Sequence, residues 1–276
     1  MIRRILVPLD PSPFSAAALE YACLLAKRQN AEVTGLVVLD ISGIEKATSH
    51  HGIGGSYWAE KLETHLREEA EQHIEKLLAK FRKRCEKDGI TAVASKEQGS
   101  PSKRILAQSS FYDLIVVGMR THFHFVTSDK PGDTLDKILD DSITPVLAAP
   151  AHFSPIKKVL ISYDGSLAAT RALQRFTHLS LARDLEIKVL FASDDKEKAN
   201  YYLENISAYL NAYELTHFKT EWTNQLFIDA LRQQYLDWAD AIVLGAHSRS
   251  SLADFFVGSV TKFLINDAQK PLFIGI

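Results

Sequence analysis

Arg4-Ile5-Leu6-Val7-Pro8-Leu9-Asp10-Pro11-Ser12 and Lys158-Val159-Leu160-Ile161-Ser162-Tyr163-Asp164-Gly165-Ser166 present the same parts in the same order. Each is a basic residue, a short apolar run, an Asp, a turn residue and a Ser. Working outward, Asp113-Leu114-Ile115-Val116-Val117-Gly118 matches Asp240-Ala241-Ile242-Val243-Leu244-Gly245. Further on, Gly132-Asp133-Thr134-Leu135-Asp136-Lys137 matches Gly258-Ser259-Val260-Thr261-Lys262-Phe263, and these lead to Thr144-Pro145-Val146-Leu147 and Lys270-Pro271-Leu272-Phe273. Three ordered matches identify an internal duplication. The copies meet in a short Pro-containing linker, so the expected domains are residues 1–151 and 156–276.

Each copy reads as alternating strands and helices. Ser12 and Pro13 suit the N-cap and first position of a helix. Ala18, Ala22 and Leu25 then recur on one helical face, as do Ala169, Leu173 and Phe176. Continuous apolar runs such as Leu114 to Val117 and Ala241 to Leu244 suit strands buried on both faces. Alternation of this kind predicts an α/β fold. The expectation is two tandem doubly wound domains, each an open five-stranded, mainly parallel sheet with helices on both faces.

The copies differ in length. The first carries an insertion, placed in Ile41 to Trp58 and in a longer second helix. That helix would bury Leu62, Leu66, Ala70, Ile74, Leu77 and Phe81, with Gly89 as its C-cap. His50 to Gly55 reads as a flexible loop.

A length of 276 residues fits two domains, and the net charge of −2 leaves no electrostatic footprint for nucleic acid or an anionic membrane. The apolar run after Met1 is too short for a signal peptide, and no stretch is long enough for a membrane span. Cys23 and Cys85 fall on apolar helical faces without metal or redox spacing, and read as reduced core cysteines. The expected compartment is the cytoplasm.

Parallel sheets bind ligands outside the carboxyl ends of their strands, where strand order reverses. Asp164 and Gly245 end the first and fourth strands of the second copy, and face one crevice if those strands are neighbours. Asp164 can accept hydrogen bonds there, and Gly245 permits close approach of the backbone. Ala246-His247-Ser248-Arg249-Ser250-Ser251 supplies hydroxyls and one cation. Gly258-Ser259-Val260-Thr261 opens a helix whose N-terminal amides favour phosphate. The combination reads as a phosphate-binding crevice. Taken singly, each part has a plainer reading: Asp10 and Asp164 as turn caps, Gly118 and Gly245 as turn glycines, Gly258-Ser259 as a helix start.

In Gly245, two residues, Ser248, nine residues, Gly258-Ser259, the spacing resembles the nucleotide-binding branch of the universal stress protein family. That branch carries Gly, two residues, Gly, nine residues, then Gly-Ser or Gly-Thr; Ser248 replaces its second Gly. The resemblance spans both copies and implies an adenine nucleotide hydrolase-like fold binding ATP or AMP, with Mg2+ as companion to the phosphates. By position it implies that Asp164 meets the adenine while Ser162 and Ala192 line the base and ribose. Gly245, His247, Ser248 and Arg249 would wrap the ribose and phosphates, and Gly258, Ser259, Val260 and Thr261 would hold phosphate oxygens. The matching first-copy positions are Pro8, Asp10, Val38, Gly118, Arg120, Gly132 and Thr134. There Thr121 replaces the second Gly, the spacing to Gly132 is one residue longer, and Asp133 stands at the place of Ser259. A carboxylate repels phosphate at close range, so the second copy is expected to be the main site. The resemblance further implies pairing through the last strands, Val146 to Ala148 with Leu272 to Ile274. That makes an internal pseudo-dimer, with a homodimer also open.

Other motifs add little. His50, His51, His122 and His124 lack partners at metal-ligand spacing. Ser100-Pro101-Ser102-Lys103 reads as a helix N-cap after Gly99, since the accompanying hydrolase motifs are absent. Asn205-Ile206-Ser207 is a glycosylation triplet by pattern only, and Trp222 and Trp238 read as core residues of a strand and a helix. Three function classes follow. The first is a nucleotide-binding stress or regulatory protein with a protein partner. The second is a slow ATPase, against which stand the missing general base and Walker lysine. The third is an interaction or scaffold protein with a residual crevice.

Overall fold

The computed structural model describes residues 1–49, 56–128, 130–246 and 259–276, and the chain divides into two compact units. One unit contains residues 2–142 and 149–152; the other contains residue 1, 143–148 and 153–276.

The first unit is built from β1 (Arg4–Pro8), α1 (Pro13–Gln29), β2 (Glu32–Leu39), α2 (Ile41–Thr48), α3 (Ser56–Lys87), β3 (Ala92–Gln98), α4 (Pro101–Ser109), β4 (Leu114–Gly118) and α5 (Thr134–Asp141). Its strand order is β3-β2-β1-β4, parallel throughout. β1 therefore lies between the strand that follows it and one that returns on its other side. This is the reversal point at which ligands enter such sheets. The apolar run of β4 is buried along its whole length, as a strand covered on both faces must be.

Local chemistry explains the helix ends. Ser12 Oγ accepts from the Ser15 amide at 3.1 Å, Pro13 occupies the first turn, and Asn30 closes α1 at φ 53°. Ala17, Ala18, Ala22 and Ala26 of α1 are buried, while Leu25 is only half-buried. In α3 the buried stripe is Ala70, Ile74, Leu78, Phe81 and Cys85. The expected stripe is corrected at two points. Leu78 is buried rather than Leu77, and Leu62 is exposed with Leu66 half-buried. A straight helix turns 3.6 residues per turn, so a stripe extrapolated over so many turns drifts off its face. Gly89, at φ 65°, follows α3 as expected, whereas residues 50 to 55 lie outside the described residues.

The second unit holds β5 (Val146–Ala149), β6 (Lys158–Tyr163), α6 (Leu167–His178), β7 (Glu186–Ala192), α7 (Lys196–Ala212), β8 (Phe218–Thr223), α8 (Phe227–Ala230) running into a π-helical turn (Leu231–Tyr235), β9 (Ala241–Gly245), α9 (Ser259–Asp267) and β10 (Leu272–Gly275). Its strand order is β5-β10-β9-β6-β7-β8. All its pairs are parallel except β5 with β10, whose register is Leu272 with Ala148, Phe273 with Leu147 and Ile274 with Val146. β5 comes from the first sequence copy but groups, apart from Ala149, with the second unit. The two tryptophans are not core residues. Trp222 on β8 is half-buried, and its Nε1 donates to the Ser193 carbonyl at 2.9 Å. Trp238 follows the π-helical turn in a turn of its own, also half-buried, with the Lys188 ammonium 4.5 Å from its ring. Among the described residues no helix is long and apolar enough to cross a membrane.

Candidate functional site

β6 and β9 are parallel neighbours, with Val159 opposite Ala241 and Ile161 opposite Val243. Their carboxyl ends therefore border one crevice, and Asp164 stands at its edge. Asp164 Oδ1 accepts from the Ser166 amide at 2.9 Å across Gly165, which takes φ 81°. Ser166 Oγ then accepts from the Ala169 amide at 3.1 Å and caps α6. Asp164 is exposed, and its Oδ2 has no partner among the described residues. It acts as a turn cap with one oxygen and offers the other outward.

Beside it opens a cavity of about 290 Å³. Ser162, Asp164, Ala192 and Val260, four of the residues expected at the site, all line it. Val260 lies in the first turn of α9, so that helix presents its amino end to the cavity, the end that favours an anion. Sequence reasoning missed further parts of the wall, among them Ser193 and Asp194 after β7, and Asn224 and Gln225 after β8. The carboxyl-end rule contained the signal for them, because each pair directly follows a strand. Thr261 is buried and is not part of the wall. His247, Ser248, Arg249 and Gly258 lie outside the described residues, as does the side chain of Ser259.

Gly245 has a packing reason for being glycine. A β-carbon there would stand 2.3 Å from the Ala168 backbone carbon and 2.5 Å from the Ala169 nitrogen. The first turn of α6 thus rests directly on the end of β9. Gly118 repeats the arrangement in the first unit, where a β-carbon would meet Phe14 Cβ at 2.7 Å.

The first unit has the same framework with its polar groups already engaged. Asp10 is 3% exposed. Its Oδ1 accepts from the Ser12 amide at 2.8 Å and its Oδ2 from the His122 amide at 2.6 Å. Burial pushes the Asp10 carboxyl above its usual range, against the lowering effect of those hydrogen bonds. The chain after β4 folds over the strand ends. Thr121 bridges to Gly132, and the Gly132 amide donates to the Thr121 carbonyl at 2.8 Å. Phe123 is buried, Phe125 meets His73 edge-on, and His124 Nδ1 lies 2.5 Å from Asp40 Oδ2. The hydrogen bond to Asp40 raises the His124 pKa, while partial burial opposes it. Pro8, Val38, Gly118 and Thr134 are all buried, and Gly132 is half-buried. Arg120 is exposed, its guanidinium 5.7 Å from the Phe14 ring. Asp133 pairs with Lys137 at 2.8 Å rather than capping α5. Among the described residues no group of three or more His, Cys, Asp or Glu is placed to hold a metal ion.

Similar proteins share this framework. A universal stress protein of Synechocystis sp. is 23% identical over 98% of this chain and 99% of its own length. A universal stress protein of Bacillus subtilis is 31% identical, over 44% of this chain and 80% of its own. The crystal structure of a universal stress protein from Archaeoglobus fulgidus superposes with a TM-score of 0.70 at 20% identity, covering 98% of this chain and 97% of that one. The profile of the Universal stress protein family matches residues 1–150 and 237–274, the first copy of the repeat and the end of the second. The chain therefore belongs to the universal stress protein family.

Proposed function

We propose that this chain binds an adenine nucleotide, ATP or AMP, in the crevice at the carboxyl ends of β6 and β9, and that occupancy serves a regulatory or protective role in the cytoplasm. The observation that carries this reading is the contrast between two equivalent aspartates. Asp10 is buried with both oxygens engaged, whereas Asp164 is exposed beside the cavity with one oxygen unpartnered among the described residues. A carboxylate already accepting two amides has little left for a ligand, and opening it would leave buried amides without acceptors, at about 1–3 kcal/mol each. The amino end of α9 offers the complementary feature for phosphate. Asp194 on the wall is a hard oxygen donor, the kind Mg2+ takes together with nucleotide phosphates. It would hold such an ion alongside the ligand, and the ion's charge would offset that of the phosphates. A ligand shifts a conformational equilibrium only through its differential affinity for two states, so regulation requires a partner surface or segment that responds to occupancy. The antiparallel β5–β10 ladder sets the last strands of the two sequence copies side by side, which supports reading the chain as an internal pseudo-dimer.

Calorimetric titration of the intact chain with ATP and with AMP tests the proposal. One site per chain is expected, weakened at least tenfold by Asp164→Ala and unaffected by Asp10→Asn in chains that remain folded. Two equivalent tight sites, or unchanged affinity in Asp164→Ala, would refute it.

A further inference from the structure

Cys23 and Cys85 are 62 positions apart, yet the fold brings their sulfurs to 4.0 Å. Both side chains are fully buried, on α1 and in the last turn of α3. Neither belongs to a group of three or more candidate metal ligands among the described residues, and the candidate nucleotide site uses neither. Small apolar side chains would fill this contact equally well, so two thiols facing each other raise the question of their chemistry.

We infer that Cys23 and Cys85 form a reversible dithiol–disulfide site, oxidised by hydroperoxides, that ties α1 to the end of α3. The sulfurs are in van der Waals contact, and bonding requires them to close to about 2.05 Å. Side-chain rotation and a helix shift of about 1–2 Å, within the ordinary range for packed helices, would close the gap. One S–H···S hydrogen bond joins the two sulfurs, with either as donor; the sulfur that accepts it is favoured as thiolate, aided by the nearby Arg84 guanidinium and opposed by burial. Arg84 belongs to a clamp at this point. Its Nε and Nη2 donate to Glu20 on α1 at 2.7 and 2.8 Å, and its Nη1 donates to Asp88 at 2.7 Å.

Access comes from the helix end. Cys85 sits two residues before the end of α3, where its carbonyl accepts from the Asp88 and Ile90 amides. Terminal turns open locally at far lower cost than the core. The chemistry balances without another reagent. The Cys85 thiolate attacks one peroxide oxygen, the O–O bond breaks, and the departing oxygen leaves as water or alcohol after taking a proton. Cys85 is then a sulfenic acid, oxidised by two electrons as the peroxide is reduced. Cys23 attacks that sulfur, its proton goes to the leaving hydroxide, water departs and the S–S bond forms.

The test is peroxide treatment of the folded, full-length chain, followed by alkylation and non-reducing peptide mapping. The expected product is a single chain lighter by two hydrogens, carrying a peptide that links Cys23 to Cys85, and restored by dithiothreitol. With a sulfenic-acid trap such as dimedone, Cys23→Ala should label at Cys85, and Cys85→Ala should not label at Cys23. Thiols that stay fully alkylatable after peroxide would overturn the inference. So would disulfides only between chains, or trapping at Cys23 in the Cys85→Ala variant.

Discussion

Replacing Gly245 by alanine adds one methyl group at the point where β9 meets α6. The new carbon would sit 2.3 Å from the Ala168 backbone carbon, 2.5 Å from the Ala169 nitrogen and 2.6 Å from the Ala168 oxygen. Comfortable carbon–carbon contact is about 3.5–4.0 Å, so the start of α6 must retreat by more than about 1 Å. Backbone atoms offer no rotamer by which to yield. A gap of 0.5–1 Å already forfeits about a quarter to a half of each dispersion contact along the opened face. That face carries Ala168, Ala169, Ala172, Leu173 and Phe176, all buried. Overpacking ordinarily costs about 1–3 kcal/mol; here about 3 kcal/mol is expected. Gly89→Ala is the control, because nothing lies within 4 Å of the added carbon and only φ 65° opposes it, at about 1 kcal/mol. Urea unfolding of both variants, with hydrogen exchange read on α6 peptides, measures the difference. If Gly245→Ala loses no more stability than Gly89→Ala, or leaves α6 exchange unchanged, close helix–strand contact is not why position 245 is glycine.

Ser166→Ala removes the acceptor for the Ala169 amide at the start of α6, and a loss of about 1 kcal/mol is expected by urea titration; a neutral result would show that water replaces this cap. The segment over the first-unit strand ends should respond to pH through His124, which faces Asp40 together with the Asp133–Lys137 pair. Its folded pKa is raised, so its stabilisation is complete below the unfolded value of about 6.5 and is lost as pH rises through the folded value. Amides 121–128 should therefore be better protected from exchange at acidic pH, after correction for intrinsic rates, and Asp40→Asn should abolish the difference. Equal pH dependence in the two proteins would refute the link.

Much of the architecture was legible in the residues because its causes are local. Apolar runs mark strands buried on both faces, and Ser12 and Ser166 cap helices through amides three residues on. A parallel sheet then places Asp10 and Asp164 at strand ends in both copies. The family resemblance proposed Ser162, Asp164, Ala192 and Val260 for one site, and the four do share one cavity wall. Local pattern could not show how far the copies had diverged at equivalent positions. Asp10 and Asp164 look alike in sequence; the path of the chain after β4 brings the His122 amide to Asp10 Oδ2, where Asp10 is buried, while Asp164 is exposed. Contacts between distant positions behave in the same way. The family resemblance did anticipate the ladder of β5 with β10, but the meeting of Cys23 with Cys85 depends on how whole elements pack. Such contacts leave no periodic or short-range signature. By itself the sequence determined the duplication, the order of strands and helices, and the end of each sheet at which a ligand is expected. The tertiary structure decided that Asp10 of the two matching aspartates is the buried one, because burial and hydrogen-bond satisfaction belong to the packed chain rather than to any segment of it.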